Sequence, residues 1–281
     1  MDQKSLRLIF IGSSGGIQVP SFHCSCQICN NARLNPNLRR TRASILISGK
    51  ENTLIDAGPD IEFQLEREGI RNIDRIFLTH WHYDHCFGIA AFPELATHGL
   101  AQKDKIDLYL PLQDMKYLNT GDFAWAKSCF KLLPIIPGNI IKLPDMILEA
   151  VKTNHTEESI GYIISTFNKK FAYLIDSIVP PKTTINRLVE SNLDFIVLEG
   201  TVDELELPNG QTIEDFKNFS IIDAVEFWKT LNIPKCILTH ASFHSWKINK
   251  LVEGISSKER EIFVKTNIGL SFAYDGLTLN I

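Results

Sequence analysis

The sequence predicts an α+β fold in which two β-sheets are covered by helices. Short apolar runs rich in Ile, Val, Leu and Phe alternate with amphipathic stretches along all 281 residues. The first run is followed by Gly12, Gly15 and Gly16, whose spacing matches neither the dinucleotide-binding nor the P-loop pattern. A doubly wound nucleotide-binding sheet is therefore not expected.

Ten apolar runs are predicted to be strands, because they are short and are bounded by Gly, Asn or Asp. They are Leu6–Ile11, Ala43–Ile47, Thr53–Ile55, Arg75–Thr79, Asp107–Leu110, Ile147–Lys152, Ile160–Ser165, Phe171–Ile175, Phe195–Leu198 and Cys236–Thr239. Further short strands are predicted after Phe263.

Four amphipathic stretches are predicted to be helices: Pro59–Glu68, His85–Leu95, Lys182–Ser191 and Ile221–Leu231. The first has a proline at its start and Gly69 after its end, which is the usual asymmetry of helix termini. Ser220 is the predicted N-cap of the last helix, with Asp223 as its acidic partner. We expect one domain over residues 1–281, with a cleft-shaping insertion at 93–144, where Gly99, Gly121 and Gly138 interrupt the pattern.

Charge and hydropathy exclude several classes of protein. The net charge is −4, so we expect no dedicated nucleic-acid surface, and the one basic cluster is Arg33, Arg39, Arg40 and Arg42. No apolar run approaches the roughly 20 residues of a membrane-spanning helix, so we expect no membrane association. Asp2 does not fit the basic start of a signal peptide, which predicts a cytoplasmic protein. A homodimer is expected only because dimers are the commonest assembly.

Three of the six cysteines lie close together in a predicted turn at residues 20–30. Cys24, Cys26 and Cys29 offer soft ligands within six residues, a spacing that suits tetrahedral zinc. The alternative is three unbonded thiols, since disulfides are rare in a reducing compartment. The scattered cysteines are expected to be buried core residues: Cys86, Cys129 and Cys236.

The chemistry is concentrated in a segment that follows the predicted strand Arg75–Thr79. His80, His82, Asp84 and His85 occupy six residues, and burying them without partners would be costly. Alternate residues of an extended turn point one way, and the Asp-His pair points another way as a helix begins. This arrangement can serve two adjacent metal ions.

Three more residues of metal-ligand type each follow a predicted strand or turn. They are His155, Asp176 and His240. His240 ends the sequence Leu-Thr-His, which also occurs at residues 78–80. Each alone has an ordinary explanation: a loop residue, a helix cap and a core histidine. Because strand ends converge where open sites are built, we interpret the three together as further ligands.

The seven residues together resemble the metal-ligand set of the metallo-β-lactamase superfamily, and Leu54-Ile-Asp56-Ala-Gly58 resembles its preceding strand and turn. The resemblance implies a four-layer αββα sandwich with two divalent ions, zinc or manganese with iron also possible. One ion would be held by His80, His82 and His155, and the other by Asp84, His85 and His240. Asp176 would be shared, and Asp56 would orient the ligands.

A narrower resemblance comes from the N-terminus. Gly12–Pro20 and the cysteine cluster are similar to the branch of PhnP-type cyclic phosphodiesterases and of PqqB-type proteins of quinone-cofactor biosynthesis. It implies a structural zinc held by the three cysteines and one histidine. His244 is the candidate fourth ligand, and His23 is its competitor.

The predicted function is hydrolysis of a small phosphodiester, cyclic ones included, at a two-metal site, with Asp84 and Asp176 as catalytic residues. Candidates for the leaving-group acid are Glu199, Asp203 and a metal-bound water. The phosphodiesterases place a histidine after the strand that ends at Leu198, where this chain has Glu199-Gly-Thr, closer to the PqqB-type sequence. The alternatives are therefore a PqqB-like biosynthetic or carrier protein, or a hydrolase of another ester, lactone or RNA bond.

Overall fold

Two mixed β-sheets pack face to face in the computed structural model, which describes residues 6–100, 105–118, 123, 128–201, 217–241 and 267–281. Within these residues each sheet has seven strands. In both sheets one half is antiparallel and the other half is parallel. The parallel halves direct the carboxyl ends of several strands toward one region.

The strands of the first sheet, in spatial order, are β14 (Leu277–Asn280), β1 (Arg7–Gly12), β2 (Ser44–Ser48), β3 (Asn52–Ile55), β4 (Arg75–Phe77), β5 (Ile106–Pro111) and β6 (Phe130–Ile135). Strands β3 to β6 run parallel. The strands of the second sheet are β13 (Leu270–Phe272), β12 (Cys236–Thr239), β11 (Phe195–Glu199), β10 (Lys170–Leu174), β9 (Ile160–Thr166), β8 (Met146–Lys152) and β7 (Ile140–Lys142). Here β10 to β13 run parallel.

The alternation of apolar side chains produces the layers. In β1, Leu8 and Phe10 join Tyr162 of the second sheet in the core between the sheets, whereas Ile9 and Ile11 pack on the opposite face under helices. A strand that is buried on both faces has a continuous apolar sequence. Such strands could therefore be predicted from the sequence. The predicted α+β fold with a four-layer αββα arrangement is confirmed.

The helices of the described residues are α1 (Gln27–Leu34), α2 (Ile61–Arg67), α3 (Tyr83–Cys86), α4 (Ala91–Thr97), α5 (Met115–Leu118), α6 (Lys182–Glu190) and α7 (Ile221–Thr230). Ser220 caps α7 as predicted, by accepting a hydrogen bond from the amide of Asp223 at 3.0 Å. In this part of the chain no helix combines the length and apolar character needed to cross a membrane.

The predicted helix His85–Leu95 is broken by a 3-10 turn at Phe87–Ala90. Gly88 lies directly against the chain before α2: its amide donates to the carbonyl of Ala57 at 2.8 Å, and a Cβ there would be 2.0 Å from the carbonyl oxygen of Gly58. This close approach holds the first turn, which carries Asp84 and His85, against the end of β3.

Residues 93–144 contribute to both sheets where they are described. They supply β5 and β6 to the first sheet and β7 to the edge of the second, and β6 and β7 were not predicted. Helix α1 was also not predicted, and it begins inside the cysteine segment, with Cys26 as its N-cap.

Candidate metal centre

The predicted ligands lie just beyond the carboxyl ends of strands from both sheets. His80 and His82 follow β4, whereas His155, Asp176 and His240 follow β8, β10 and β12. Asp176 and His240 have positive φ angles of 48° and 51°, and Asp56, after β3, has one of 64°. This left-handed conformation is uncommon for residues other than glycine, so the backbone turns sharply where each side chain enters the site.

Three histidines form one group of converging nitrogens. The Nδ1 atom of His82 lies 2.9 Å from Nε2 of His80 and 3.1 Å from Nε2 of His155. His80 is buried, His155 is half-buried and His82 is exposed, so this group opens toward solvent. Nitrogens bound at ~2.1 Å to one tetrahedral ion are about 3.4 Å apart, which these separations approach.

The second group combines two carboxylates with two histidines. Nε2 of His85 lies 2.6 Å from Oδ2 of Asp176 and 3.2 Å from Oδ2 of Asp84. Nε2 of His240 lies 3.3 Å from the same oxygen of Asp84. Within each group the ligand atoms all lie within 4.8 Å of one another. The structure thus brings together all seven residues of the predicted ligand set.

Asp176 lies between the two groups. Its Oδ2 atom is 3.5 Å from Nε2 of His80 in the first group and 2.6 Å from Nε2 of His85 in the second. One carboxylate oxygen therefore reaches both sets of nitrogens, which is the position that a shared ligand requires.

The donor atoms fit divalent cations. No described residue gives the buried Nε2 of His85 a hydrogen bond of acceptable geometry, although Asp176 is close. The three nitrogens of the first group also cannot all be satisfied by hydrogen bonds to one another. Nδ1 of His82 faces two other nitrogens but can donate one proton or accept one, since each neutral ring has only one N–H. Imidazole and carboxylate together suit zinc, manganese or iron.

Asp56 and Thr79 orient two of these histidines. The carboxylate of Asp56 is fully buried and accepts hydrogen bonds from Nδ1 of His85 at 2.9 Å and from the Thr79 hydroxyl at 3.0 Å. Because the single Thr79 proton goes to this carboxylate, its oxygen accepts from Nδ1 of His80 at 3.0 Å. Both imidazoles then present Nε2 to the site, which is the contact predicted for Asp56.

The two groups differ in their preferred charge. Burial lowers the pKa of His80. Although the residue His82 is exposed, partial desolvation of its ring and the neighbouring His155 lower its pKa, so both rings favour the neutral form. Burial also opposes charge on His240, but Asp176, Asp84 and Glu199 raise its pKa to about 10. In the same way, burial opposes ionisation of Asp84 and Asp176, yet the nearby histidines hold the pKa of both carboxyls below their usual range. In the second group two ionised carboxylates therefore face imidazoles that favour the protonated form, and a bound cation would take the place of those protons.

A sequence profile described as Metallo-beta-lactamase superfamily matches residues 38–240. The chain belongs to the metallo-β-lactamase superfamily. The resemblance inferred from the ligand motif is thereby confirmed, and the matched residues include all seven candidate ligands.

Solved structures with this superfamily fold include both predicted branches. A diphosphatase of the PhnP family superposes with a TM-score of 0.76 at 23% identity, covering 99% of this chain and 98% of that one. Zinc-bound PqqB from Methylobacterium extorquens superposes with a TM-score of 0.78 at 19% identity, covering 98% of this chain and all of that one. At these identities the likeness establishes the fold.

Among proteins compared by sequence, an octanoyltransferase from Porphyromonas gingivalis is 26% identical over 243 residues, which is 85% of this chain. The match covers 46% of that protein, so this chain spans less than half of its relative's length.

The cysteine cluster forms a separate candidate zinc site. The thiols of Cys24, Cys26 and Cys29 lie within 4.8 Å of one another, in a group that does not include the described residue His23. Burial, with Cys24 and Cys26 nearby, raises the pKa of the Cys29 thiol to about 12. Crowded thiols of this kind ionise readily only beside a cation. His244, the predicted fourth ligand, lies outside the described residues.

Sequence reasoning missed three residues that contact the ligands of this superfamily site. The carbonyl of Lys217 is 3.3 Å from Nδ1 of His155, Asn218 contacts Asp176, and Thr201 contacts His240. No local pattern marks Lys217 or Asn218. Thr201 follows the Glu-Gly pair after β11, and its position two residues beyond a buried strand was the one available signal.

Proposed function

We propose that this chain is a metal-dependent hydrolase of small phosphodiesters, cyclic ones included. The observation that carries the proposal is the pair of adjacent ligand groups with Asp176 between them, 3.5 Å from His80 and 2.6 Å from His85. Two divalent ions held there would supply hydroxide near neutral pH and would neutralise the charge that develops on phosphoryl oxygens.

The residues of the chain have distinct tasks in this proposal. His80, His82 and His155 hold one ion, Asp84, His85 and His240 hold the other, and Asp176 is shared. The exposed His82 and half-buried His155 leave the first group accessible to a substrate. The buried carboxylates of the second group supply negative charge, which lets the pair of ions approach closely.

Two features support phosphate chemistry in particular. The PhnP-family protein with the same fold is described as a diphosphatase. Two divalent ions bound by this donor set would also stabilise the negative charge of phosphoryl oxygens. The leaving-group acid is not Glu199 in this proposal, since that carboxylate is fully buried and accepts several hydrogen bonds. Asp203 lies outside the described residues.

The arginines of the basic cluster do not favour an RNA substrate. Arg42 pairs with Asp60 at 2.9 Å and also donates to the carbonyl of Gly16. Arg33 donates to Asn30 and to the carbonyl of Ser21. Arginines held by such partners are poorly placed to track a phosphate backbone.

The test is hydrolysis of bis(p-nitrophenyl) phosphate by chelator-stripped protein reloaded separately with manganese and zinc. We expect metal-restored turnover that is lost in Asp84→Ala. The matched control is Asp107→Asn, which alters only a half-buried carboxylate of β5 near Lys131. No turnover in wild type despite verified uptake of two ions would contradict phosphodiester hydrolysis and would favour a PqqB-like or carrier role.

We also infer a structural zinc on Cys24, Cys26 and Cys29. Metal analysis of the zinc-loaded protein should then give about three equivalents per chain, and Cys24→Ser with Cys26→Ser should remove about one without removing activity. Retention of all three ions by that double variant would contradict the assignment.

A further inference from the structure

We infer that Glu199, Thr201 and Asn218 form a second positioning network, which fixes the tautomer of His240 and the orientation of Asp176. The inference rests on the proposed metal centre and adds residues that no ligand motif identifies. Glu199 ends β11 and Asn218 precedes α7, so the network is built entirely from the second sheet and its connections.

The Thr201 hydroxyl connects a carboxylate to an imidazole. Its Oγ1 atom donates to the carboxylate of Glu199 and lies 3.0 Å from Nδ1 of His240. The carbonyl of His240, at 2.9 Å, is a competing acceptor, but a charged carboxylate is the stronger one. Because the one hydroxyl proton goes to Glu199, the oxygen accepts from Nδ1–H of His240. In the neutral ring, which is the form that binds a metal, this leaves Nε2, on the Asp84 side, with the free lone pair.

Glu199 is the anchor of the network. The carboxylate is fully buried, and it accepts hydrogen bonds from the amide of Ser177, the hydroxyl of Thr201 and the side-chain amide of Asn218 at 2.7 Å. A buried charge persists only with such partners. Since its acceptor positions are used inside the protein, Glu199 acts through its neighbours and does not contact a substrate.

Asn218 sets the orientation of the shared ligand. Its Nδ2 atom donates to Oδ1 of Asp176 at 2.5 Å and to Oε2 of Glu199 at 2.7 Å. Both partners are acceptors, so the nitrogen of the amide, and not its oxygen, must face them. With Oδ1 of Asp176 held in this way, Oδ2 is the atom that faces His80 and His85.

The same arrangement occurs on the opposite side of the centre. Asp56, Thr79 and His80 form a carboxylate–hydroxyl–imidazole chain from the first sheet, as Glu199, Thr201 and His240 do from the second. Two unrelated segments thus satisfy Nδ1 of a ligand histidine by the same chemistry. In both places the hydroxyl orients the ring through a hydrogen bond, which packing alone would not provide.

The experiment compares Thr201→Val, which removes the hydroxyl at nearly constant shape, with Thr201→Ser, which restores it. Each protein is titrated with cobalt(II), and proton NMR of the cobalt-loaded form reports the exchangeable ring N–H signals of ligand histidines. We expect the valine variant to bind one cobalt equivalent about 10–100-fold more weakly and to lose or shift one such signal. Serine should restore both, and Thr97→Val, at an exposed position of α4, should change neither.

Glu199→Gln provides an independent variant if the valine variant does not fold. It keeps the shape of the side chain but weakens the acceptor, so the same N–H signal should exchange faster. Unchanged cobalt affinity and unchanged signals in both Thr201→Val and Glu199→Gln would overturn the network alone. A wild type that does not bind two cobalt ions at the His/Asp centre would overturn the proposed metal centre as well.

Discussion

The two halves of the candidate centre are built on different principles. The half made of His80, His82 and His155 contains nitrogen ligands only and opens to solvent. The half made of Asp84, His85, Asp176 and His240 is mostly buried and contains two carboxylates. Burial favours uncharged rings in the first half, whereas the carboxylates raise the pKa of His240 to about 10 in the second.

This difference would allow the site to hold two cations close together. A cation in the first half gains little from fixed charge and depends on well-aligned lone pairs. A cation in the second half is attracted by buried carboxylates whose charge solvent does not screen. Asp176 belongs to the half with carboxylates but also reaches His80 in the nitrogen-only half. Mutation of Asp176 should therefore affect both halves.

The largest effect is expected from loss of the residue that joins the halves. Asp176→Ala should lower phosphodiester hydrolysis by more than about 10²-fold, because both halves lose a ligand. Asp176 has a φ of 48°, so alanine is strained there, whereas Asp176→Asn tolerates this conformation. Both variants should lose activity, and in the metal-free form the alanine variant should have the lower unfolding midpoint of the two. A fully active Asp176→Asn would show that the halves need no shared carboxylate.

Single-histidine variants should separate the halves. His155→Ala should lose about one metal equivalent and mainly weaken zinc binding, because it removes a nitrogen from the nitrogen-only half. His240→Ala should also lose about one equivalent, but with the larger loss for manganese, which prefers the carboxylate-containing half. Metal analysis after competition between equal concentrations of the two ions measures this. Identical selectivity in the two variants would contradict the distinction between the halves.

A smaller effect is expected from a buried carboxyl outside the ligand set. Asp114 follows β5 in a 3-10 turn, and its Oδ2 has no hydrogen-bond partner among the described residues. Burial raises its pKa to about 6, against an ordinary value of 3.8. The folded state therefore favours the protonated carboxyl. The stability that depends on this proton is complete below pH ~3.8 and is lost as the pH rises through about 6.

As the pH rises from 4 to 7, the unfolding free energy of Asp114→Asn should accordingly increase by about 2–3 kcal/mol relative to that of wild type. Urea unfolding of metal-free protein across that range measures the difference. Binding of cobalt to the carboxylate-containing half should not change. A constant difference between the two proteins at every pH would show that Asp114 titrates normally.

The ligand set was predictable because its members are local and strongly typed. His80, His82, Asp84 and His85 lie within one turn, and the distant ligands follow apolar runs that the sequence identifies as strands. Because strand ends converge where open sites are built, the distant ligands could be interpreted together, and the resemblance to the superfamily divided them between two ions.

The rest depends on contacts between distant segments. Asn218 contacts Asp176 across 42 residues of sequence, and nothing near position 218 signals it. The break after Cys86 follows from the approach of Gly88 to Gly58, which a helical pattern does not reveal. Strand β6 was missed because Pro134 and the exposed Lys131 obscure its alternation, although β5 supplies the pairing that stabilises it.

Each ligand group draws residues from both sheets: His80 and His82 with His155, and Asp84 and His85 with Asp176 and His240. Bound ions would therefore act as cross-links across the seam of the sandwich, since the sheets cannot separate without releasing them. We expect amide hydrogen exchange in β4, β10 and β12 to accelerate when a chelator is added, while exchange in β7 stays unchanged. The same metal–ligand contacts would then serve both catalysis and the resistance of the two sheets to separation.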